Sequence, residues 1–291
     1  NVRSGGGGSI TIKAQNVDVV GGSELLAGIS EGLGSPEAQG GDIEINATGR
    51  INLADDSLIS NELEENAVGN SGNVKIKTGS LSVKNGSEIS TLISGEGNAG
   101  NVTIEASDAV VLVREDSEVV TTVASQVEAG AEGNAGGVTI TTGSLEVKNG
   151  AQINTTTFAK GDAGSVDINA TDTVVLDGGD STGGILSILN SAAAAVAEGN
   201  AGIVPTITTG GVFSQVNLGA EGNAGGVTIT TSSLEVKNGA VISADNLGKG
   251  NTEGITIITN SLEVKNDAFI STNTFAQGDA GTVNILSLIH I

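Results

Sequence analysis

Apolar and polar positions alternate with a period of two along most of the chain. Val138-Thr139-Ile140-Thr141, Leu145-Glu146-Val147-Lys148 and Ala151-Gln152-Ile153-Asn154 each read as a strand with one apolar face. Turn residues separate them: Thr142-Gly143-Ser144, Asn149-Gly150 and Lys160-Gly161-Asp162-Ala163-Gly164. Only Ser191-Ala192-Ala193-Ala194-Ala195-Val196-Ala197 departs from this rhythm, fitting a short helix or an open loop. The pattern predicts an all-β chain of short strands.

The strands recur as a unit. Gly97-Asn98-Ala99-Gly100-Asn101-Val102-Thr103-Ile104 returns as Gly133-Asn134-Ala135-Gly136-Gly137-Val138-Thr139-Ile140 and as Gly161-Asp162-Ala163-Gly164-Ser165-Val166-Asp167-Ile168. Further copies start at Gly222 and Gly278, with looser ones around Ile10, Ile43, Val74 and Ile255. Marking each by its first apolar residue gives Ile10, Ile43, Val74, Val102, Val138, Val166, Val227, Ile255 and Val283, spaced by 33, 31, 28, 36, 28, 61, 28 and 28 residues. The step of 61 is read as hiding one degenerate copy near Gly199-Asn200-Ala201-Gly202-Ile203-Val204. Two flavours of unit are visible, Thr-Gly-Ser-Leu-x-Val-Lys-Asn-Gly from Thr78 and Thr142, and Ala-Ser/Thr-Asp-x-Val-Val-Leu from Ala106 and Ala170.

A hairpin array would use Asn149-Gly150 as a type I′ turn between directly paired strands. A parallel β-helix would instead stack each strand on its copy in the next unit. The second is expected, because Leu81, Leu145, Leu234 and Leu262 keep their places, as do Val83, Val147, Val236 and Val264. Asn85, Asn149, Asn238 and Asn266 suit a corner ladder, since Asn tolerates the left-handed conformation. The expected fold is thus an all-β, right-handed parallel β-helix (solenoid) of about ten coils with three short strands per coil. At roughly 4.8 Å per stacked strand such a rod is on the order of 45–50 Å long. Residues 1–285 form one repeat array; the hexapeptide Leu286-Ser287-Leu288-Ile289-His290-Ile291 breaks the repeat and reads as a non-native, adapter-derived tail.

Composition agrees with stacked aliphatic columns. The 291 residues include 45 Gly and 4 Phe, with no Trp, Tyr, Cys or Met. Disulfides, thiolate zinc sites and thiol catalysis are therefore excluded. The net charge of −22 repels phosphate backbones and anionic lipid, so neither nucleic-acid binding nor membrane insertion is expected. No apolar run approaches the roughly 18 residues of a membrane span. Starting at Asn1 and lacking Met, the chain reads as a piece of a longer protein.

The Gly-Asn/Asp-Ala-Gly-x-Val-x-Ile openings, with Gly143-Ser144-Leu145-Glu146-Val147-Lys148-Asn149-Gly150-Ala151 and its copies at Ser80 and Ser233, resemble filamentous haemagglutinin-like large exoproteins of two-partner secretion, in particular their cyanobacterial-type repeat region. The likeness spans roughly residues 5–285. It implies export by an outer-membrane secretion partner, a secreted or cell-surface location, and adhesin-like filaments that meet a host-cell or extracellular polysaccharide ligand.

Candidate chemistry is thin. Carboxylates stand at Asp55-Asp56, at Glu62 with Glu64-Glu65, at Glu115-Asp116 with Glu118, and at Asp177 with Asp180. Pairs of this kind serve polysaccharide lyases and hydrolases or hold Ca²⁺, but here they read as solvated corners that do not converge. Arg3, Arg50 and Arg114 are the only arginines, too few for a basic lyase site. Gly178-Gly179-Asp180-Ser181-Thr182-Gly183-Gly184 only superficially approaches a calcium-binding nonapeptide, and occurs once. Thr139, Thr141 and Thr142, Thr155 to Thr157, and Thr228, Thr230 and Thr231 suggest outward threonine ladders, although β-propensity alone accounts for them. His290, the sole histidine, falls in the anomalous tail. The expectation is a non-catalytic structural shaft with no catalytic, cofactor or metal residues, adhesion residing in insertions at 110–132 and 178–219. The alternatives are a polysaccharide-acting β-helix enzyme and a Ca-binding surface-layer-type protein.

Overall fold

The computed structural model describes residues 7–115, 117–179 and 209–287. The chain winds as a parallel β-solenoid with no helix among these residues. The first coil holds β1 (Ile10–Ala14), β2 (Val17–Val20), β3 (Glu24–Ile29) and β4 (Gly34–Gln39); the second holds β5 (Ile43–Ala47), β6 (Arg50–Ala54), β7 (Leu58–Leu63) and β8 (Val68–Asn70). The third and fourth pair β9 (Val74–Lys84) with β10 (Glu88–Ile93), and β11 (Val102–Val113) with β12 (Thr122–Val127). Then come β13 (Val138–Lys148) with β14 (Gln152–Thr157), and β15 (Val166–Asp177) with β16 (Gly211–Val216). Last are β17 (Ala224–Lys237) with β18 (Val241–Asn246), β19 (Thr252–Lys265) with β20 (Phe269–Ser271), and β21 (Thr282–Ser287), which opens a ninth coil.

Every strand pairs in parallel with its copies in the neighbouring coils, forming an 11-stranded sheet, an 8-stranded sheet and a two-stranded one. The repeat markers are the register itself. Ile10 lies against Ile43, Ile43 against Val74, Val74 against Val102, Val102 against Val138, and Val138 against Val166. The series continues through Val227 and Ile255 to Val283. A one-residue slip would turn each apolar column outward, which is why so plain an alternation specifies the pairing.

Three expectations are corrected. About eight turns form, not ten, because no coil lies inside the step of 61: Val166 pairs directly with Val227, and β14 pairs directly with β16. The extra residues are an insertion, and the copy read near Gly199, like the Ala run at 191–197, lies outside the described residues. Second, from the third coil on the first two strands merge into one bent strand. The bend at Thr78-Gly79-Ser80 keeps its pairing because the Thr78 hydroxyl donates to Ser80 O (3.1 Å), as Thr142 does to Ser144 O (3.1 Å) and Thr259 to Ser261 O (2.8 Å). Beyond β4 and β8 the third side is reduced to single bridges running Val68, Glu96, Glu132, Lys160, Glu221, Lys249, Gln277.

Third, the insertions are narrower than 110–132 and 178–219. Residues 110–113 complete β11, 122–127 are β12 and 211–216 are β16; 128–132 and 217–219 belong to the turn that follows the strand, which leaves 114–121 and 178–210 before it. Both sit at one corner, between the long sheet and the 8-stranded sheet. The other coils turn this corner in three residues, as at Asn85-Gly86-Ser87 and Asn149-Gly150-Ala151. There the Asn-Gly pairs do adopt type I′ geometry, with φ of 49° and 75° at Asn85 and Gly86 and a bond from Ser87 N–H to Lys84 O (3.2 Å). The turn joins strands of different sheets and makes no hairpin.

The main core cluster is aliphatic, while Phe213 on β16 is buried outside it. Ile43, Val74, Val102, Val138, Val166 and Val227 form one wholly buried column, and Ile51, Leu81, Val110, Leu145, Val174 and Leu234 another. No aromatic side chain belongs to this cluster. Columns of like aliphatic residues pack on one another by shape.

Candidate functional site

The feature most able to act on a ligand is a groove of about 720 Å³ at the corner that follows β3, β7, β10 and β12. Glu62 points out of β7, Glu64 and Glu65 lie in the turn after it, Glu31 and Glu128 lie in the matching turns of the neighbouring coils, and Glu96 joins from the bridge column. No basic side chain lines it. The Glu31 N–H donates to Glu64 Oε2 (3.0 Å), which fixes one carboxylate by neighbouring backbone.

These glutamates come from different units, so Glu62, Glu64 and Glu65 converge with partners that a reading within one unit misses. The signal was available: the residues stand one repeat apart, and placing the units in register brings them side by side. Burial raises the pKa of Glu128. Glu88, on β10, is raised first by burial and further by the negative charges of Glu62 and Glu128, against a bond from Ser90 that lowers it. Such an array produces a diffuse negative potential. Among the described residues no three acidic side chains are grouped as ligands for a metal ion.

The other described candidate carboxylates lie away from this groove. Asp55 and Asp56 turn a corner with φ of 60° and 57°; Asp55 Oδ1 accepts from Asn85 Nδ2 (3.3 Å), and Asp56 Oδ1 from Ser117 Oγ (3.3 Å). Asp177 Oδ1 accepts from Gly179 N–H (3.1 Å) and from Asn238 Nδ2 (2.9 Å), with Lys237 Nζ at 3.9 Å from its other oxygen. Glu115 and Glu118 lie in the 114–121 insertion, where Arg114 donates to Ser117 O and Glu118 O (2.9 and 3.1 Å) and so closes the loop on itself. Arg50 forks onto Asp18 (2.9 and 3.3 Å). Arg3, Asp116, Asp180, the rest of the 180–184 glycine run and His290 lie outside the described residues. Of the anomalous tail, Leu286 and Ser287 pair with Ile258 and Thr259 at the end of β21.

The threonines do not form one outward face. Thr139 and Thr141 point out, but Thr142, Thr155, Thr157 and Thr231 are buried. Thr155 is part of a polar seam inside the solenoid. Asn61 Nδ2 donates to Gly41 O (2.7 Å), Thr91 Oγ1 to Gly100 O (2.7 Å), Thr155 Oγ1 to Gly164 O, and Ser214 Oγ to the same Gly164 O (2.9 Å). The seam ties the 8-stranded sheet to the Gly-Asn/Asp-Ala-Gly segments across the interior.

Those segments build a side-chain ladder through seven coils. The backbone N–H of Asn98 donates to Asn70 Oδ1 (3.0 Å), Asn134 to Asn98 (3.0 Å), Asp162 to Asn134 (2.8 Å) and Asn223 to Asp162 (2.7 Å). Asn251 and Asp279 carry it on (2.9 Å each). The ladder expected at Asn85, Asn149, Asn238 and Asn266 is present in part: Asn266 Nδ2 donates to Asn238 Oδ1 (2.9 Å), and all four residues are left-handed.

No protein-family model, curated protein or solved structure matches the chain.

Proposed function

We propose that this chain is a rigid, non-catalytic shaft segment of a secreted or cell-surface, adhesin-like exoprotein. The observation that carries the reading is the unbroken row-to-row register of the nine marker residues from Ile10 to Val283. A molecule so built has one structural theme repeated along its described length. Each coil supports only its neighbours, so stiffness and length come from repetition. The resemblance of the Gly-Asn/Asp-Ala-Gly units to filamentous haemagglutinin-like exoproteins supports export through an outer-membrane partner. The corner insertions are where an extracellular or host-cell polysaccharide would be met.

To test export, the segment is placed between a two-partner secretion domain and an epitope tag, in cells that carry the outer-membrane partner. Surface display of the tag, with the shaft intact under protease, is the expected result. A tag retained inside the cell would overturn the export reading.

The acidic groove favours one competing reading, an enzyme acting on polysaccharides through paired carboxylates. Incubation with acidic and neutral polysaccharides separates the two. New reducing ends or unsaturated uronates that disappear in Glu62→Gln and Glu128→Gln would replace the shaft by the enzyme.

A further inference from the structure

Three corners carry the same Asn-Gly dipeptide in the same conformation. The asparagine φ values are 49° at Asn85, 56° at Asn149 and 53° at Asn238, and the glycines that follow stand at 75°, 84° and 75°. Asn-Gly is the sequence most open to attack of a backbone nitrogen on the preceding side-chain amide, because glycine offers no side chain to hinder it. With sequence and backbone alike, any difference in reactivity comes from what holds the two reacting groups.

Two of the corners hold both. The side chain of Asn85 is tied through Nδ2 to Asp55 Oδ1 (3.3 Å), and the Gly86 N–H is given to Thr121 Oγ1 (3.0 Å). Asn238 donates through Nδ2 to Asp177 Oδ1 (2.9 Å) and accepts from Asn266 Nδ2 (2.9 Å), while the Gly239 N–H is given to Asn266 O (2.8 Å). The third corner holds neither. Asn149 is exposed, and among the described residues its side chain has no hydrogen-bond partner and the Gly150 N–H no acceptor. The coil stacked on it carries the 178–210 insertion in place of an Asn-Gly corner.

We propose that Asn149-Gly150 is a site of spontaneous deamidation, selected by the fold from three chemically equal corners. The Gly150 nitrogen attacks the Asn149 side-chain carbonyl carbon and closes a succinimide. The side-chain nitrogen leaves as ammonia, taking up the proton that Gly150 gives up. Water then opens the ring at either carbonyl and yields aspartate or isoaspartate. Each conversion adds one negative charge to a chain already at −22. The isoaspartate product also lengthens the main chain by one carbon at a turn that must place β14 in register with β12 and β16.

The folded chain is aged at mildly alkaline pH, with a parallel sample in urea, and both are mapped by peptide mass spectrometry with isoaspartate labelling. In the folded chain Asn149 is expected to convert several-fold faster than Asn85 and Asn238, and in urea the three rates should converge. Thr121→Ala, which frees the Gly86 N–H, should speed conversion at Asn85. Equal rates in the folded chain, or Asn149 the slowest, would overturn the proposal.

Discussion

Gly97 and Asn98 are neighbours in one ladder, yet their side chains matter for opposite reasons. Gly97 has φ of 151°, and a Cβ there would lie 1.4 Å from Gly69 O, so no local adjustment accommodates it. Gly97→Ala should cost more than about 4 kcal/mol or prevent folding. Asn98→Ala, which removes an exposed rung, should cost about 1 kcal/mol. Urea denaturation of the two variants gives both numbers. The partly buried carboxylates act through pH. Glu88 and Glu128 have raised pKa values in the folded chain, so the folded state binds their protons more tightly than the unfolded one. Stability is therefore expected to rise as the pH falls from neutral through their folded pKa values, and Glu88→Gln should flatten that rise in thermal melts across pH. Asp42 opposes it at the acid end. Its pKa is lowered by hydrogen bonds from Lys75 and Asn73 acting against the burial that would raise it. Its contribution is present above the ordinary carboxylate range and lost as pH falls through the lowered value.

At the scale of elements, the corner between the two large sheets tolerates length while the strands do not. The 114–121 insertion meets its surroundings through a handful of bonds: Thr121 Oγ1 with Val113 O and Gly86 N–H, Ser117 Oγ with Asp56, Arg114 N–H to Lys148 O and Gln152 N–H to Thr121 O. Replacing residues 114–121 by Asn-Gly-Ala should leave the fold intact and the register of β11 and β12 unchanged, since loop length enters closure entropy only weakly. Hydrogen exchange of the Val123 and Val127 amides reads the outcome: unchanged protection is expected, and loss of protection would show that the insertion supports the strand. The element pattern was legible in Val138-Thr139-Ile140 and its copies because alternation and pairing are one constraint. The merging of the first two strands was not. Thr142-Gly143-Ser144 carries turn residues, and only the bond from Thr142 to Ser144 O shows that the chain bends there without leaving the sheet.

At the scale of the whole molecule, stability is a sum of coil-to-coil contacts. Deleting residues 138–165, one 28-residue step, removes β13 and β14 and brings β11 against β15. The shortened chain is expected to fold with one coil fewer, its scattering-derived length reduced by about 4.8 Å. Unfolding of the whole chain on this deletion would show that the coils are not interchangeable. The net charge is carried partly by ladders that neutralise themselves: Lys237 and Lys265 lie against Glu235 (3.0 and 2.7 Å), and Lys249 against Glu221 (2.7 Å). The acidic groove has no such neutralising rows, since no lysine or arginine lines it.

The repeat by itself determined the sheet register, the aliphatic columns and the left-handed asparagine corners, because each depends only on which residue stands one unit away. Tertiary structure alone decided that the step of 61 residues is one coil with an insertion and not two coils. It also turned Thr155 and Ser214 inward and left the Gly150 N–H without a partner among the described residues. These depend on what fills the space beside a residue in the neighbouring coil, and where coils differ in length that neighbour is set by the stacking itself.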